Sequence, residues 1–492
     1  MQRLYALVPA ILLAVYPLLS LFEHNQSEIQ LGVLWLPLAI CVASAVALYL
    51  VFMLVFKSAT KAGSLAAVTV VAFFYYGLFF TGKWFLVPWV ALLAALVFVL
   101  VRTRSELVNL MVILGVGAAV LVLLPVVKIG VYQAHHRPIS VSDPRLWPTR
   151  LEAPTARAGA RRPDVYVIIP DDYARLDVLK QYFHYDDAAF VRELTKRGFL
   201  ISQQARSPYS DSEMNIAAEL NMDYLSRLPT ILGATSQDVR PVKKLIADNR
   251  AAQLLKPLGY RYVHLDTDEV TFPAGNPHIS PFATPDSFPS LWLRQTLLRL
   301  VGGRLGFSDT AADERFRKTI RSGFSKLEAV PRDGGPKFVV FHTLVPHDPY
   351  IFGAQGQSVT FPDRSDEALG SKLGMSYYLK QLQFLNRKLL EAVDAILAQS
   401  KTPPVIVIQS DEGFQASPDT FGEAAMQQVR IKGLIALHLP GVAGARIPQP
   451  PNTVNTLRLV FNRYFGTAYP LLRSASYPEL DLPYQFKEMQ VK

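Results

Sequence analysis

Cysteine is almost absent from this chain of 492 residues, and the single one, Cys41, falls inside a long apolar run. Residues 163–492 contain none, which excludes disulfides and cysteine-ligated metals there. That part of the chain is long enough to be stabilised by an ordinary hydrophobic core.

Charged residues are scarce before residue 135. Each apolar run there approaches the ~20 residues that cross about 30 Å of hydrocarbon, and we expect five membrane spans. The first run lacks a small-residue cleavage site, so a span is favoured over a signal peptide. No run carries a mid-span ionisable group apart from the Cys41 thiol, which disfavours transport. The runs are Leu4–Phe22, Leu31–Phe56, Leu65–Gly82, Trp84–Val101 and Leu107–Val131.

Positive charges set the expected orientation. One side of the spans carries most of them, whereas the other has "EHNQSEI" and the single Lys83. The positive-inside rule then places the N-terminus in the cytoplasm and everything after Val131 outside. We expect a multi-pass protein of the bacterial inner (cytoplasmic) membrane with a periplasmic C-terminal domain. The charges on the cytoplasmic side are Arg3, Lys57, Lys61, Arg102 and Arg104.

Composition divides the chain into three parts. We predict a transmembrane domain over residues 1–133, a basic juxtamembrane linker over 134–162 and an extracytoplasmic domain over 163–492. The net charge of +10 includes an arginine cluster in the linker. Outside the membrane these arginines suit anionic headgroups, and no nucleic-acid partner is expected. They are Arg150, Arg157, Arg161 and Arg162.

Strand and helix patterns alternate from Pro163 onward. "DVYVIIP", "KFVVFHTL" and "VIVIQS" are typical of buried strands, and "MSYYLKQLQFLNRKLLEAVDAILAQ" of a long amphipathic helix. This alternation predicts an α/β domain with a mainly parallel central sheet. The stretches 266–290 and 350–370 are predicted to be irregular loops.

Three of the predicted strands end in polar clusters. Since the carboxyl ends of parallel strands share one edge, the clusters are expected to converge there. Carboxylates and imidazoles in such a place point to a divalent cation. A fourth cluster, "SPYSDSEMN", offers a hydroxyl at a helix start, a suitable nucleophile beside a metal. The strand-end clusters hold Asp171 and Asp172; His342, His347 and Asp348; and Asp411 and Glu412.

Each cluster also has a purely structural interpretation. "DDY" and "VPHDPY" are common in turns. "SDSE" fits a capping box with Ser210 as N-cap and Glu213 at the third helical position, which would leave Ser212 without a role. The joint occurrence of the clusters after apolar strands favours function.

The same residues resemble a known family. "PDVYVIIPDDYARLDVL", "RSPYSDSEMNIAAELNMDYL", "FHTLVPHDPYIF" and "VIVIQSDEGF" have the order and spacing of membrane-anchored sulfatase-like proteins of the alkaline phosphatase superfamily. "NTVNTLRLVFNRYFG" is similar to that family's carboxyl-terminal segment, so the resemblance covers about residues 160–475. The spans with an outward domain also resemble lipoteichoic acid synthases and phosphoethanolamine transferases.

The resemblance implies an alkaline phosphatase/sulfatase-like fold and specific roles. Asp171 and Asp411 match metal ligands, Ser212 matches the nucleophile and a metal-ligand position, and His347 matches the histidine that contacts the transferred group. Glu412 stands where the family has a histidine ligand and is expected to replace it. Further substrate contacts are expected from Asp172, Asp348 and Arg175.

Departures from the family pattern limit the implied chemistry. Ser212 stands where the transferases have threonine, and no Cys/Ser-x-Pro-x-Arg sequence is present as a template for formylglycine. Sulfate-ester hydrolysis is therefore disfavoured. An oxygen-rich site predicts one divalent cation, manganese or magnesium, with zinc or calcium as alternatives.

Two functions remain open from the sequence. The favoured one is an enzyme: a metal-dependent transferase or hydrolase that moves a phospho-substituent such as phosphoglycerol or phosphoethanolamine. Its donor would be a membrane lipid, its acceptor an envelope glycan or lipid, and Ser212 would carry the covalent intermediate. The alternative is a catalytically degenerate sulfatase-like module that binds lipid or an envelope partner in a regulatory role.

Overall fold

The computed structural model describes residues 2–80, 83–103, 107–135, 139–155, 162–267, 288–301, 309–363, 365–415, 418–441, 452–478 and 482–489. The chain forms two compact units. The first comprises Met1–Arg137 and Ser280–Glu314, and the second comprises Pro138–Ile279 and Arg315–Lys492.

The helices are numbered in chain order. They are α1 Gln2–Asn25, α2 Trp35–Phe56, α3 Ala59–Phe74, α4 Tyr76–Phe79, α5 Leu86–Arg102, α6 Val108–His135, α7 Leu176–Tyr182, α8 Ala188–Lys196, α9 Ser212–Asn221, α10 Leu228–Leu232, α11 Arg240–Ala247, α12 Arg250–Leu255, α13 Phe288–Gln295, α14 Asp309–Ala329, α15 Asp366–Leu369, α16 Lys372–Gln399, α17 Pro418–Phe421, α18 Glu423–Arg430 and α19 Val454–Tyr464. Short 3₁₀ turns cover Leu31–Leu34, Lys83–Phe85, Lys256–Leu258, Leu297–Val301 and Val330–Arg332.

The first unit is built around α1. This helix packs against α2, α3 and α6, and 56% of its apolar window is buried, against 17% for those of α2 and α6. The outward faces of α2, α5 and α6 carry exposed apolar side chains such as Leu54, Val87 and Ile113. An apolar outer surface around a packed inner helix is what a lipid environment requires.

Among the described residues of this unit, three helical segments are long and apolar enough to cross a membrane: Tyr5–Asn25, Leu31–Phe56 and Val108–His135. The predicted count of five spans is not confirmed. The third predicted span is interrupted, because α3 has 16 residues and ends before Tyr75. The fourth predicted span corresponds to α5, which has 17 residues. At 1.5 Å per residue each is about 25 Å long, short of a ~30 Å hydrocarbon core.

A later segment of the chain returns to the first unit. Phe288 and Trp292 of α13 are buried in the same core as α1 and α3. Phe288 meets Phe22 edge to face with ring centroids 6.0 Å apart, and Trp292 stacks on Phe74 at 6.3 Å. Residues far apart in sequence therefore complete the apolar core of this unit.

The second unit is built on a six-stranded sheet with the order β2-β6-β5-β1-β4-β3. Strands β5, β1, β4 and β3 are paired in parallel, whereas β6 is antiparallel to both of its neighbours. The sheet is thus mixed, and the prediction of a mainly parallel one is not confirmed. The strands are β1 Val165–Asp171, β2 Phe199–Ser202, β3 Arg261–Asp266, β4 Lys337–Pro346, β5 Val405–Gln409 and β6 Ile435–His438.

The reversal of β6 has a simple geometric cause. It enters the sheet at the edge where β5 ends, since Ile435 lies opposite Gln409. An antiparallel neighbour needs no crossover, whereas a parallel one would require the chain to return to the other edge of the sheet.

Helices cover both faces of the sheet, so two hydrophobic cores form. Along β1, Val165, Val167 and Ile169 face one core with α9, α11 and α19. Tyr166 and Ile168 face the other core with α8, α14 and α16. Burial on both faces explains why the central strands are continuous apolar runs rather than alternating ones.

Two predicted loops have different outcomes. Most of 266–290 lies outside the described residues. The stretch 350–370 is largely irregular, as predicted, with a bridge between Phe352 and Ser358 and the short helix α15.

Candidate metal centre

The three central strands bring their polar ends to one edge of the sheet. Asp171 is the last residue of β1, Asp411 follows the end of β5, and His342 lies in β4 opposite Ile169 of β1. One ligand atom from each of Asp171, His342 and Asp411 lies within 4.8 Å of the others. Asp171, Asp172 and His347 form a second group by the same measure. The expected convergence of the strand ends is therefore observed.

Burial of these groups is nearly complete. Asp171, Asp172, Asp411 and Glu412 are at most 4% exposed, and His342 is fully buried. One oxygen of each of the four carboxylates is buried without a hydrogen-bond partner: Asp171 Oδ1, Asp172 Oδ1, Asp411 Oδ2 and Glu412 Oε2. Unpaired carboxylate oxygens are costly inside a protein, and a bound cation is the usual partner.

The carboxylates raise one another's pKa values. Burial, reinforced by Asp411, raises the pKa of Asp171 to about 6, and burial raises that of Asp172 to about 7. Burial also raises the pKa of Asp411, and that of Glu412 well above its ordinary value. The site therefore favours a positive charge, supplied by protons or by a cation.

Hydrogen bonds hold the two acidic loops together. Asp411 Oδ1 accepts from the backbone N–H groups of Glu412 at 2.7 Å and Asp172 at 3.3 Å. Ser410 Oγ accepts from Tyr173 N–H at 2.8 Å. Asp172 itself has a φ of +60°, an unfavourable conformation for an aspartate that these contacts stabilise.

Ser212 is the first residue of α9. The N-cap is Asp211, whose Oδ1 accepts from Met214 N–H at 2.8 Å, so the capping-box interpretation with Ser210 as N-cap is wrong. The cap leaves the Ser212 hydroxyl available, and Ser212 lies near enough to the Asp411 carboxylate to oppose the rise in the Asp411 pKa. The predicted nucleophile and the predicted metal ligand are thus side by side.

His347 lies on the loop after β4. Its Nδ1 is 2.6 Å from the carbonyl oxygen of Asp348, and its Nε2 is 3.0 Å from Gln415 Oε1. Burial lowers its pKa, but the carboxylates of Asp348, Asp172 and Asp171 outweigh this and raise it well above 6.5. Since both ring nitrogens face acceptor oxygens, the imidazolium is the form that satisfies both contacts.

Three predicted site residues lie around this centre. Glu412 is buried beside it but belongs to neither group of converging ligand atoms. Asp348 is half-buried, with Oδ1 3.2 Å from His347 Nδ1. Arg175 is directed elsewhere: it pairs with Asp177 at 2.6 Å and donates to the carbonyl oxygen of Ala205.

Two acid–base groups of the centre received no specific role from the sequence, although His342 was placed in one of the strand-end clusters. His342 lies within an apolar run, and a polar residue in a strand buried on both faces is the signal that marks it. Glu219 lies two turns after Ser212 on α9; burial raises its pKa well above 4.5, and Asp411 raises it further. Its helical spacing from Ser212 is the only sequence signal for it.

No protein-family model matches the sequence, and no curated protein matches it. Solved structures do. The C-terminal periplasmic domain of EcEptC from Escherichia coli, in complex with Zn, aligns with 65% of this chain and 87% of its own at 12% identity and a TM-score of 0.41. Lipooligosaccharide phosphoethanolamine transferase A (EptA) from Neisseria meningitidis, an integral membrane protein, aligns with 87% of this chain and 88% of its own at 10% identity and 0.38. A 2-O GAG sulfatase aligns with 63% and 72% at 14% identity and 0.39.

These neighbours are of the kinds that the sequence motifs resemble, a phosphoethanolamine transferase and a sulfatase among them.

Proposed function

We propose that this protein is a metal-dependent phosphotransferase or phosphodiesterase that uses Ser212 as its nucleophile. The observation that carries the proposal is the hydroxyl of Ser212 at the Asp411 carboxylate, beside converging ligand atoms of Asp171, His342 and Asp411. Nucleophile, acid–base groups and a cation site in one buried place are the components of phosphoryl transfer.

A divalent cation fits the donor set. Asp171 and Asp411 offer oxygen, His342 offers nitrogen, and the unpaired carboxylate oxygens nearby call for positive charge. When bound, such an ion supplies a Lewis acid that offsets charge on the transferring phosphate. Manganese or magnesium is proposed because carboxylates dominate, with zinc or calcium as alternatives; the imidazole suits manganese and zinc.

Ser212 would attack the phosphorus of a lipid phosphodiester. The bond between Ser212 Oγ and phosphorus forms, and the bond from phosphorus to the lipid alcohol breaks. The hydroxyl proton passes to the nearby Asp411 carboxylate, which has an oxygen without a hydrogen-bond partner. Position at the start of α9 also helps, since helix N-termini favour the negative charge of an attached phosphate.

His347 would act as general acid and then as general base. Its raised pKa keeps the imidazolium form at neutral pH, so it can protonate the departing alcohol. The neutral ring then takes a proton from an acceptor hydroxyl or water, which attacks phosphorus and breaks the bond to Ser212; Asp411 returns its proton to Ser212.

The apolar helices of the first unit fit a lipid donor. Three of them can cross a membrane by length and composition, so the protein would meet its donor at the membrane surface. The group carried, phosphoglycerol or phosphoethanolamine for example, would pass to an envelope glycan or lipid. We place the protein in a bacterial inner membrane, with its N-terminus in the cytoplasm and the second unit in the periplasm.

Elemental analysis of the purified full chain is the first test. We expect about one divalent ion per chain in the wild type and its loss in Asp411→Ala and His342→Ala. Glu412→Ala distinguishes a direct ligand, which would also lose the ion, from a neighbouring charge, which would only weaken it. Asp394→Ala, at an exposed carboxylate of the same unit, is the control.

Mass spectrometry of the intact chain tests the covalent step. Incubation with a phospholipid donor is expected to add a phospho-substituent that is lost in Ser212→Ala and kept in Ser212→Thr. Metal binding without any adduct would contradict the covalent mechanism. No metal in any preparation, even after manganese or zinc is supplied, would favour the regulatory module over the enzyme.

A further inference from the structure

Three cationic side chains lie together on the loops that flank the candidate metal centre. They come from separate parts of the chain: Arg175 after β1, Arg206 before α9, and Lys432 before β6. We call them the basic cluster. Arg175 is buried, whereas Arg206 and Lys432 are half-buried.

Backbone contacts fix the three segments against one another. Arg175 N–H donates to the carbonyl oxygen of Lys432 at 2.8 Å, and its Nη1 donates to that of Ala205 at 2.7 Å. Ser207 N–H, next to Arg206, donates to the carbonyl oxygen of Ile431 at 2.8 Å. The proximity of the cations is therefore built into the fold rather than left to flexible side chains.

The basic cluster is short of negative charge. Asp177 pairs with Arg175 at 2.6 Å. Within the described residues, neither the Arg206 guanidinium nor the Lys432 ammonium has an ion pair, and Arg206 Nε is buried without a hydrogen-bond partner. Three cations with one carboxylate leave a local excess of positive charge.

The electrostatics of the group agree with this geometry. Burial lowers the pKa of Arg206, and Arg175 lowers it further. Burial likewise lowers the pKa of Lys432, and Arg175 and Arg206 add to the effect against the opposing influence of Asp177. Cations that repel one another in a partly desolvated place destabilise the fold unless an anion binds there.

We propose that the basic cluster is a binding site for a phosphate group, held by Arg206 and Lys432, with Arg175 fixed behind them by Asp177. An arginine beside a lysine, with an unused guanidinium N–H, suits the several acceptor oxygens of a phosphate. The basic cluster contains none of the converging ligands of the metal centre, and its ligand would be a phosphate on a lipid headgroup or a soluble phosphate. The proposal does not depend on Ser212 chemistry.

Binding to the metal-free full chain in neutral detergent, with a chelator present, tests the site alone. Calorimetric titrations would use inorganic phosphate in one arm and dihexanoyl phosphatidic acid in the other. We expect both to bind the wild type, and Arg206→Gln combined with Lys432→Gln to weaken binding at least about tenfold, the effect of losing one charge-assisted contact or more. Tighter binding of the phosphatidic acid would identify the lipid-borne source; equal binding would identify phosphate itself.

Two further variants make the result decisive. Lys401→Gln combined with Lys380→Gln removes the same charge from exposed positions of the same unit and is expected to leave affinity within roughly twofold. Arg206→Lys combined with Lys432→Arg keeps the charges, so retained binding shows that the loss is not a folding defect. The proposal is overturned if the double Gln variant binds both probes like the wild type, or if the exposed-site control loses as much affinity. If the chain binds phosphate at the basic cluster but binds no metal, the proposed enzymatic function is refuted and the phosphate-site proposal stands.

Discussion

At the scale of single residues, the candidate centre is dominated by crowded negative charge. Four buried carboxylates lie close to the imidazoles of His342 and His347, and one oxygen of each carboxylate lacks a hydrogen bond. Such an arrangement is unfavourable for the ionised protein by itself. A cation that binds the ionised carboxylates relieves their mutual repulsion. Cation binding therefore stabilises the folded chain, because metal binding and folding stability are linked.

This linkage predicts an inverted pH dependence of stability in the metal-free chain. Burial raises the pKa of Asp171 to about 6 and of Asp172 to about 7 from 3.8. A raised pKa contributes stability that is fully present below the unfolded value and lost as pH rises through the folded value. The metal-free protein should therefore be less stable at about pH 8 than at about pH 5, by more than roughly 1 kcal/mol per carboxylate.

Thermal unfolding with a chelator and with manganese measures this effect. Manganese is expected to stabilise strongly at the higher pH, where the carboxylates are ionised, and weakly at the lower. Asp172→Asn should flatten the pH dependence of the metal-free chain, while Asp333→Asn, at an exposed carboxylate, should not. A metal-free wild type that is more stable at the higher pH would contradict the assignment.

The site residues that could be predicted from the sequence are those whose neighbouring residues form a recognisable pattern. Asp171 and Asp411 follow apolar strands, so their positions at one sheet edge could be predicted from the pattern. The N-cap of α9 could not, because "SDSE" fits a capping box with Ser210 as N-cap, whereas in the structure Asp211 Oδ1 accepts from Met214 N–H. Nor could Arg175, whose pairing with Asp177 is a local choice among several acidic neighbours.

At the scale of elements, α16 positions both sides of the centre. Tyr378 and Gln381 lie one turn apart on its buried face. The Tyr378 hydroxyl donates to the carbonyl oxygen of Asp172 at 2.8 Å and accepts from Ala174 N–H at 3.0 Å. Gln381 contacts the loop that carries His347. One helix therefore sets the relative position of the acidic loop and the His347 loop.

Of these two side chains, Gln381 makes more hydrogen bonds to buried backbone groups. Its Oε1 accepts from the N–H groups of Ile351 at 2.9 Å and Phe352 at 3.1 Å. Its Nε2 donates to the carbonyl oxygens of His347 at 2.7 Å and Pro346 at 3.2 Å. Because the Gln381 amide is fully buried, water cannot replace these hydrogen bonds when the side chain is removed.

We predict that Gln381→Leu destabilises the chain by about 2–4 kcal/mol, because buried backbone groups of the His347 loop lose their partners. The ion content should be unchanged, since Asp171, His342 and Asp411 are not on that loop. Transfer to an acceptor should fall at least about tenfold, and the His347 ring resonances should shift.

Lys380→Gln is the matched control, one residue earlier on the exposed side of the same helix. Gln381→Glu keeps the acceptor for the two N–H groups and loses the donors, so it should lie between wild type and Gln381→Leu. Equal loss of ion and activity in Gln381→Leu would show general unfolding rather than a positioning role.

The amphipathic pattern predicted α16 as a long helix, and the structure has it. The pattern does not say which polar residues on a buried face will be used. Gln381 and Tyr378 look like interruptions of an apolar stripe in the sequence, and become interpretable only with the loops that they contact. The antiparallel β6 was missed for a similar reason, since strand direction follows from the entry edge and not from composition.

At the scale of the whole molecule, hydropathy and helix length give different numbers of membrane crossings for the first unit. Residues before 135 are apolar enough for five spans by composition, but α3 and α5 are shorter than the three long segments. The sequence favours five spans because the apolar run Leu65–Gly82 continues through the break between α3 and α4 and past the end of α4. Both counts are odd, so both place the second unit on the side opposite the N-terminus.

The position of Lys83 separates the two counts. With five spans, the turn between α4 and α5 lies outside the cell; with three, it stays on the cytoplasmic side with Lys57. The chain is well suited to a labelling test, because its single cysteine, Cys41, is fully buried and should give no background.

We predict that a membrane-impermeant maleimide labels Lys83→Cys and Lys401→Cys in intact spheroplasts, and labels Lys57→Cys only after lysis. Lys401 and Lys57 are both exposed, so their difference reports sidedness rather than accessibility. Labelling of Lys83→Cys only after lysis would establish three crossings and leave α3 and α5 as short helices that do not cross. Labelling of Lys57→Cys in intact spheroplasts, with Lys401→Cys protected until lysis, would invert the topology. The second unit would then lie in the cytoplasm, away from the envelope acceptor that the proposed reaction requires.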